Sequence, residues 1–244
     1  MSKNIAKKRS PEQLHLVIEA VQRDLVQANC YYRLFRDVNN AVAEYRREMN
    51  QSRVFWSLTQ DALLDAARLR LCRVYEREKD KNANSLGYLL AAIKQNLHMF
   101  EFEPFQERLK SNEYSDPYES WKKLDEAQLD ADILFATESN SAVRRLVFWR
   151  DKQFVHRDST HIIRKIRIGK EKLPTYGDID SLLDNGLTIA NRYSALFNQH
   201  TWGRTMVGHD DYAFVLKLIR DGLELRRERL NAELKEHGID YPGE

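Results

Sequence analysis

Ser10-Pro11-Glu12-Gln13-Leu14-His15-Leu16-Val17-Ile18-Glu19-Ala20-Val21-Gln22-Arg23-Asp24-Leu25 is the stretch on which the fold class turns. The Ser10 side chain can accept from the amide three residues on, Pro11 suits the first helical position, and Gln13 can reach back to the Ser10 amide. A helix is therefore predicted to start at Pro11. Leu14, Ile18, Val21, Leu25, Ala28 and Tyr32 then recur at intervals of three and four, the spacing of one buried helical face, and the pattern extends to about Met49.

The rest of the chain repeats this logic. Its five prolines leave Glu12 to Glu103 and Tyr118 to Leu173 free of proline, which favours long helices. Between Arg53 and Arg77 the residues Phe55, Leu58, Ala62, Ala66, Leu69 and Cys72 form one apolar stripe, widened by Leu63, Leu71 and Val74, as for a helix inside a bundle. The charged segment from Glu76 to Asn82 reads as a solvated turn, and Ser85 to Leu97 as a shorter helix. Phe100 to Phe105 reads as an irregular connection or a short helix held by its Phe side chains. Asp116-Pro117-Tyr118-Glu119 is a second cap signal. Ala142 to Phe154 is a further helical segment. Asp178 is expected to cap a helix with Ile179, Leu182, Leu183, Leu187, Ala190 and Tyr193 on its apolar face. Gly203 and Gly208 bracket a break before a last amphipathic helix from about Tyr212 to Leu234. No period-2 run of useful length occurs, so the prediction is an all-α bundle of six to eight helices.

Composition narrows the function. With 244 residues, 39 Lys+Arg against 37 Asp+Glu and a net charge of +2, there is no chain-wide basic field, so any nucleic-acid site must be local. Cys30 and Cys72 fit neither a disulfide framework nor a metal-ligand spacing, which suits a reducing cytoplasm. The basic start, Met1 to Ser10, leads into no apolar signal core, and no run approaches the ~20 apolar residues of a membrane span. Secretion and membrane insertion are not expected. Glycine-rich phosphate loops, G-x-S-x-G, H-E-x-x-H and Cys/His clusters are all missing. His200 and His209, with Asp210 and Asp211, straddle glycines and set no ligand geometry, so neither metal nor cofactor is expected.

One segment combines groups suited to phosphodiester chemistry: Phe148-Trp149-Arg150-Asp151-Lys152-Gln153-Phe154-Val155-His156-Arg157-Asp158. A guanidinium can bind phosphate through two donors, and an imidazole exchanges protons near neutral pH. Arginine, a polar residue, then histidine after a gap of four to six residues, late in an all-α chain, resembles the Rx4-6H motif of HEPN domains. Arg9 with His15 and Arg204 with His209 have permitted spacings too, but the first straddles a helix cap and the second crosses Gly208. Arg150 with His156 ends a strongly apolar helical stretch. The order of Val54-Phe55-Trp56, Trp149-Arg150-Asp151-Lys152, Val155-His156-Arg157-Asp158 and Thr175-Tyr176-Gly177-Asp178-Ile179-Asp180 is similar to the AbiU-type, abortive-infection branch, over roughly Gln13 to Gln199.

The resemblance implies a HEPN-like domain over residues 11–201, with a C-terminal helix at 208–244 packed on it or used in dimerisation. It also implies a metal-independent endoribonuclease of phage defence or toxin systems, with Arg150, Asp151 and His156 as catalytic residues and a site formed where two domains meet. Residues six apart on an ideal helix end up about 120° apart, which agrees with a site completed by a second copy. Arg144, Arg145, Lys152, Arg157, Arg164, Lys165 and Arg167 form the densest basic neighbourhood and are the expected RNA contacts. RNA, a homodimer partner and, in a toxin setting, an antitoxin protein are the partners this implies. The alternatives are a non-catalytic HEPN-like module that binds RNA, nucleotide or protein, and a purely structural bundle.

Overall fold

The computed structural model describes residues 9–76, 85–110, 116–155, 172–204 and 210–238, with the backbone alone at 153–155. The described residues are helical and contain no strand. The helices are α1 (Pro11–Ala41), α2 (Arg46–Asn50), α3 (Arg53–Val74), α4 (Leu86–Gln95), α5 (Phe102–Leu109), α6 (Pro117–Ser120), α7 (Glu126–Phe135), α8 (Ser141–Trp149), α9 (Tyr176–Asn198) and α10 (Asp211–Glu236). A 3-10 turn at Leu97–Phe100 precedes α5, and a π-helical turn at Arg150–Val155 follows α8.

Helix α1 begins as expected: the Ser10 hydroxyl accepts from the Gln13 amide, and Gln13 Oε1 accepts from the Ser10 amide, both at 3.3 Å. Leu14, Ile18, Val21, Leu25, Ala28 and Tyr32 are all buried. The helix does not reach Met49. It stops at Ala41, where the Glu44 and Tyr45 amides both donate to the Ala41 carbonyl, and α2 restarts at Arg46. Asn39 and Asn40, weak helix formers, precede the break. The helix expected from Pro117 is likewise only one turn long, capped by Asp116 Oδ1 on the Tyr118 amide at 2.8 Å. A cap not anticipated from the sequence, Asp125, then accepts from the amides of Ala127 and Gln128 and starts α7.

The chain divides into two compact units, Met1–Asn29 with Ala66–Thr205, and Cys30–Asp65 with Met206–Glu244. Both boundaries in the first half fall inside helices, α1 and α3. In the first unit the core includes Leu14, Ile18, Leu71, Leu89, Ile93, Phe105, Leu129, Leu146, Ile179 and Leu182. Tyr75, fully buried, donates to the Leu182 carbonyl at 2.6 Å, and α9 passes it through Gly186. A Cβ at Gly186 would stand 2.6 Å from the Tyr75 oxygen and 2.8 Å from Leu25 Cδ2, so only glycine permits this approach.

In the second unit Val38, Met49, Trp56 and Leu216 form a cluster. Arg220 on α10 donates through Nε to the buried carboxylate of Glu48 at 3.0 Å and lies over the Tyr45 ring. The expected stripe on α3 needs correction here: Phe55 and Leu58 are 60% and 63% exposed, while Trp56 is buried in their place. Apolar residues lie on more than one side of α3, so its periodicity does not single out a buried face. Among the described residues no helix is long and apolar enough to cross a membrane.

Candidate functional site

Helix α8 leads into the segment singled out from the sequence, whose residues 150–155 form the π turn. Asn140 caps it, accepting from the Ala142 amide at 2.9 Å, and Ala142, Val143, Leu146, Val147 and Trp149 are buried. Arg68 stacks its guanidinium 5.2 Å from the centre of the Trp149 ring. At Arg150 the hydrogen-bond pattern widens to the π form, which continues to Val155, so the helical segment anticipated from Ala142 to Phe154 changes its winding at Arg150. Such turns are frequent at functional sites and alter the angular spacing of the residues that follow.

Arg150 is held from two sides. Its Nε and Nη2 lie 2.9 and 2.8 Å from Asp151 Oδ1, and its Nη1 donates to Glu76 Oε1 at 3.1 Å. Burial disfavours the charged guanidinium, but the hydrogen bond and charge of Asp151, together with Cys72 and Glu76, outweigh it and raise the Arg150 pKa above its ordinary value. Cys72 is buried, and its thiol makes a long contact to the Leu146 carbonyl at 3.9 Å. Burial pushes that thiol up to about 12, against the lowering influence of Arg150, so it remains protonated and behaves as a small packed hydrophobe.

The other expected site residues are distributed unequally. Arg144 is exposed and donates to the Glu138 carbonyl at 3.2 Å. Lys152 is half-buried in the π turn. Arg145 pairs with Asp178 through two hydrogen bonds, one of them from Nε to Oδ2 at 2.8 Å. Asp178 is the third residue of α9 and not its cap: Thr175 is the cap, and the two residues bond each other's amides in a capping box. His156, Arg157, Arg164, Lys165 and Arg167 lie outside the described residues.

Glu76 is a partner of Arg150 that sequence reading missed. It belongs to a run read as solvated, yet it faces Arg150 from the end of α3 and its side chain is only 34% exposed. Its position directly after the buried pair Val74-Tyr75 is the available signal.

The Arg145–Asp178 pair makes a pH prediction. Its partner's guanidinium, offset in part by burial, holds the Asp178 carboxyl below the ordinary carboxylate value. The folded chain therefore takes up this proton at lower pH than the unfolded chain. The stabilisation is complete above the unfolded value, near ~4, and fades as pH falls through the folded value. Urea unfolding of Arg145→Ala beside the parent should show a deficit of about 2 kcal/mol at neutral pH that shrinks steadily below pH ~4. A deficit unchanged between neutral pH and pH ~3 would mean the pair does not supply it.

The described residues build an all-α bundle, the architecture of a HEPN-type domain. The AbiU2 HEPN family model matches residues 12–217, and the chain belongs to this abortive-infection-related family. No curated protein and no protein of solved structure matches it.

Proposed function

We propose that this chain is a metal-independent endoribonuclease of phage defence or of a toxin system, acting as a homodimer whose site joins Arg150, Asp151 and His156 of two copies. The observation that carries this reading is Arg150 itself: a largely buried guanidinium, oriented by the adjacent Asp151 at the start of a π turn, six positions before a histidine. In the reaction the ribose 2′-oxygen attacks the neighbouring phosphorus and loses its proton to a base. The bond to the 5′-oxygen breaks, that oxygen takes up a proton, and the products end in a cyclic phosphate and a 5′-hydroxyl. His156 would move these protons, and Arg150 would neutralise charge on the phosphorane. Asp151 orients Arg150. Because the nucleophile is the substrate's own hydroxyl, no metal-activated water is called for. Lys152, with Arg157, Arg164, Lys165 and Arg167, would draw in the backbone, and Arg144 extends that surface. Arg145, engaged by Asp178, contributes by fixing α8 against the start of α9.

The test is incubation of purified protein with mixed cellular RNA in excess chelator, beside the Arg150→Ala, His156→Ala double variant. The expected result is fragments ending in cyclic phosphate from the wild type alone, produced by a species sedimenting as two chains. Activity lost on chelation and restored by magnesium, or equal cleavage of DNA, would sink the mechanism. A non-catalytic helical module is the second reading, favoured by the two carboxylates already on Arg150; it predicts RNA binding without fragments.

A further inference from the structure

A guanidinium offers five N–H donors in a planar fork, and an oxyanion is gripped best by two of them along one edge. At Arg150 one edge is taken, since Asp151 Oδ1 lies within 2.9 Å of both Nε and Nη2. The remaining two-donor edge runs between Nη1 and Nη2, and Nη1 already donates to Glu76 Oε1 at 3.1 Å. Two carboxylates thus surround one cation, where the Arg150 side chain is 19% exposed and Glu76 34%. Arg150 already faces two carboxylates, so a phosphodiester placed at its Nη1 end would meet a like charge in Glu76.

The two carboxylates are not equivalent. Asp151 is Arg150's neighbour in the chain and moves with it. Glu76 comes from the end of α3, 74 positions away in sequence, and bonds a different nitrogen from those that Asp151 holds.

Building on the ribonuclease reading above, we propose that Glu76 is a residue of the RNA site that competes with the scissile phosphate for Arg150. In the free chain it occupies the Nη1 end of the guanidinium, and RNA binds there only by displacing it. Glu76 then lowers RNA affinity and keeps Arg150 oriented when no phosphate is present. It makes no bond to the reacting atoms and is a positioning residue.

The test uses the full chain carrying His156→Ala, so that no cleavage accompanies binding, and a mixed-sequence single-stranded oligoribonucleotide as probe. Adding Glu76→Gln removes the charge and keeps the shape. It should tighten binding about fivefold and steepen the dependence of log affinity on log salt by about one unit, since no displaced carboxylate then takes up a cation to offset the counterion that Arg150 releases from the phosphate. Glu76→Ala removes the same charge through a different side chain and should move affinity and slope in the same direction, which guards against a folding defect in either variant. Unchanged or weaker binding with the parent's slope would overturn the proposal, making Glu76 a structural partner and leaving the ribonuclease reading intact. No binding by any of these proteins, together with no cleavage by the wild type, would remove the ribonuclease reading itself and this inference with it.

Discussion

His156→Ala is expected to lower RNA cleavage by a factor of about 100 to 10,000 while leaving RNA affinity within a few-fold of the wild type. A positioned proton-transfer group contributes on that scale to the rate, whereas a neutral imidazole adds little to an electrostatic, salt-dependent affinity. Arg150→Ala should differ in kind and weaken both binding and cleavage, because its guanidinium meets the phosphate in the ground state and in the phosphorane. The split is read by fluorescence anisotropy with labelled RNA beside single-turnover cleavage. Wild-type cleavage by His156→Ala would remove the histidine from the chemistry, and a histidine that merely ends a helix would then be the better account. The Arg150 variant carries a structural cost of its own, since it removes the guanidinium that Glu76 and Asp151 share. A melting curve for this variant therefore belongs beside its rate.

Asp132→Ala is expected to cause the largest loss of stability among single substitutions at the described polar groups. Asp132 is buried between α7 and α9, accepts from Gln128 Nε2 at 2.9 Å and from the Tyr193 hydroxyl at 2.8 Å, and pairs with Arg192. Burial, reinforced by the Asp132 carboxylate, pushes the Tyr193 phenol well above its ordinary value, so it stays a donor. Removing the carboxylate leaves a hydroxyl, an amide and a guanidinium without their acceptor. Breaking a buried ion pair from one side costs about 3–5 kcal/mol, and the one-third exposure of Arg192 places this case near 3. A melting midpoint lower by about 10 °C is the corresponding observation in a chain of this size. Asp132→Asn, which keeps the hydrogen-bonding oxygen and loses the charge, should give a smaller drop. Equal drops for both would mean that the charge matters and the hydrogen bonds do not.

How much of this was legible beforehand depended on distance along the chain. The capping of α1 by Ser10 and Gln13 and of α6 by Asp116 rests on bonds between residues two or three apart, so local sequence contains all the partners. The buried faces of α1 and α9 were legible for a similar reason: where apolar residues lie along one side of a helix, their spacing names the side that packs. That, with the want of any alternating run, was enough for the all-α class, and the order of motifs was enough for the HEPN resemblance that the family match bears out. Arg150 and Asp151 could be named because they are adjacent.

Tertiary structure alone decided the rest. Helix α3 is apolar on several sides, so only its neighbours determine that Trp56 packs while Phe55 does not. The arginine at 145 could be listed with the basic cluster from sequence, but its pairing with Asp178 spans 33 positions and depends on how α8 meets the first turn of α9. Glu76 looked like one charge among several in a solvated run, and it became a partner of Arg150 because folding brings the end of α3 beside the π turn. Periodicity and capping report which side of a helix is buried and where it begins. Which carboxylate finds which guanidinium is set by contacts between helices far apart in sequence, and no local pattern encodes that pairing.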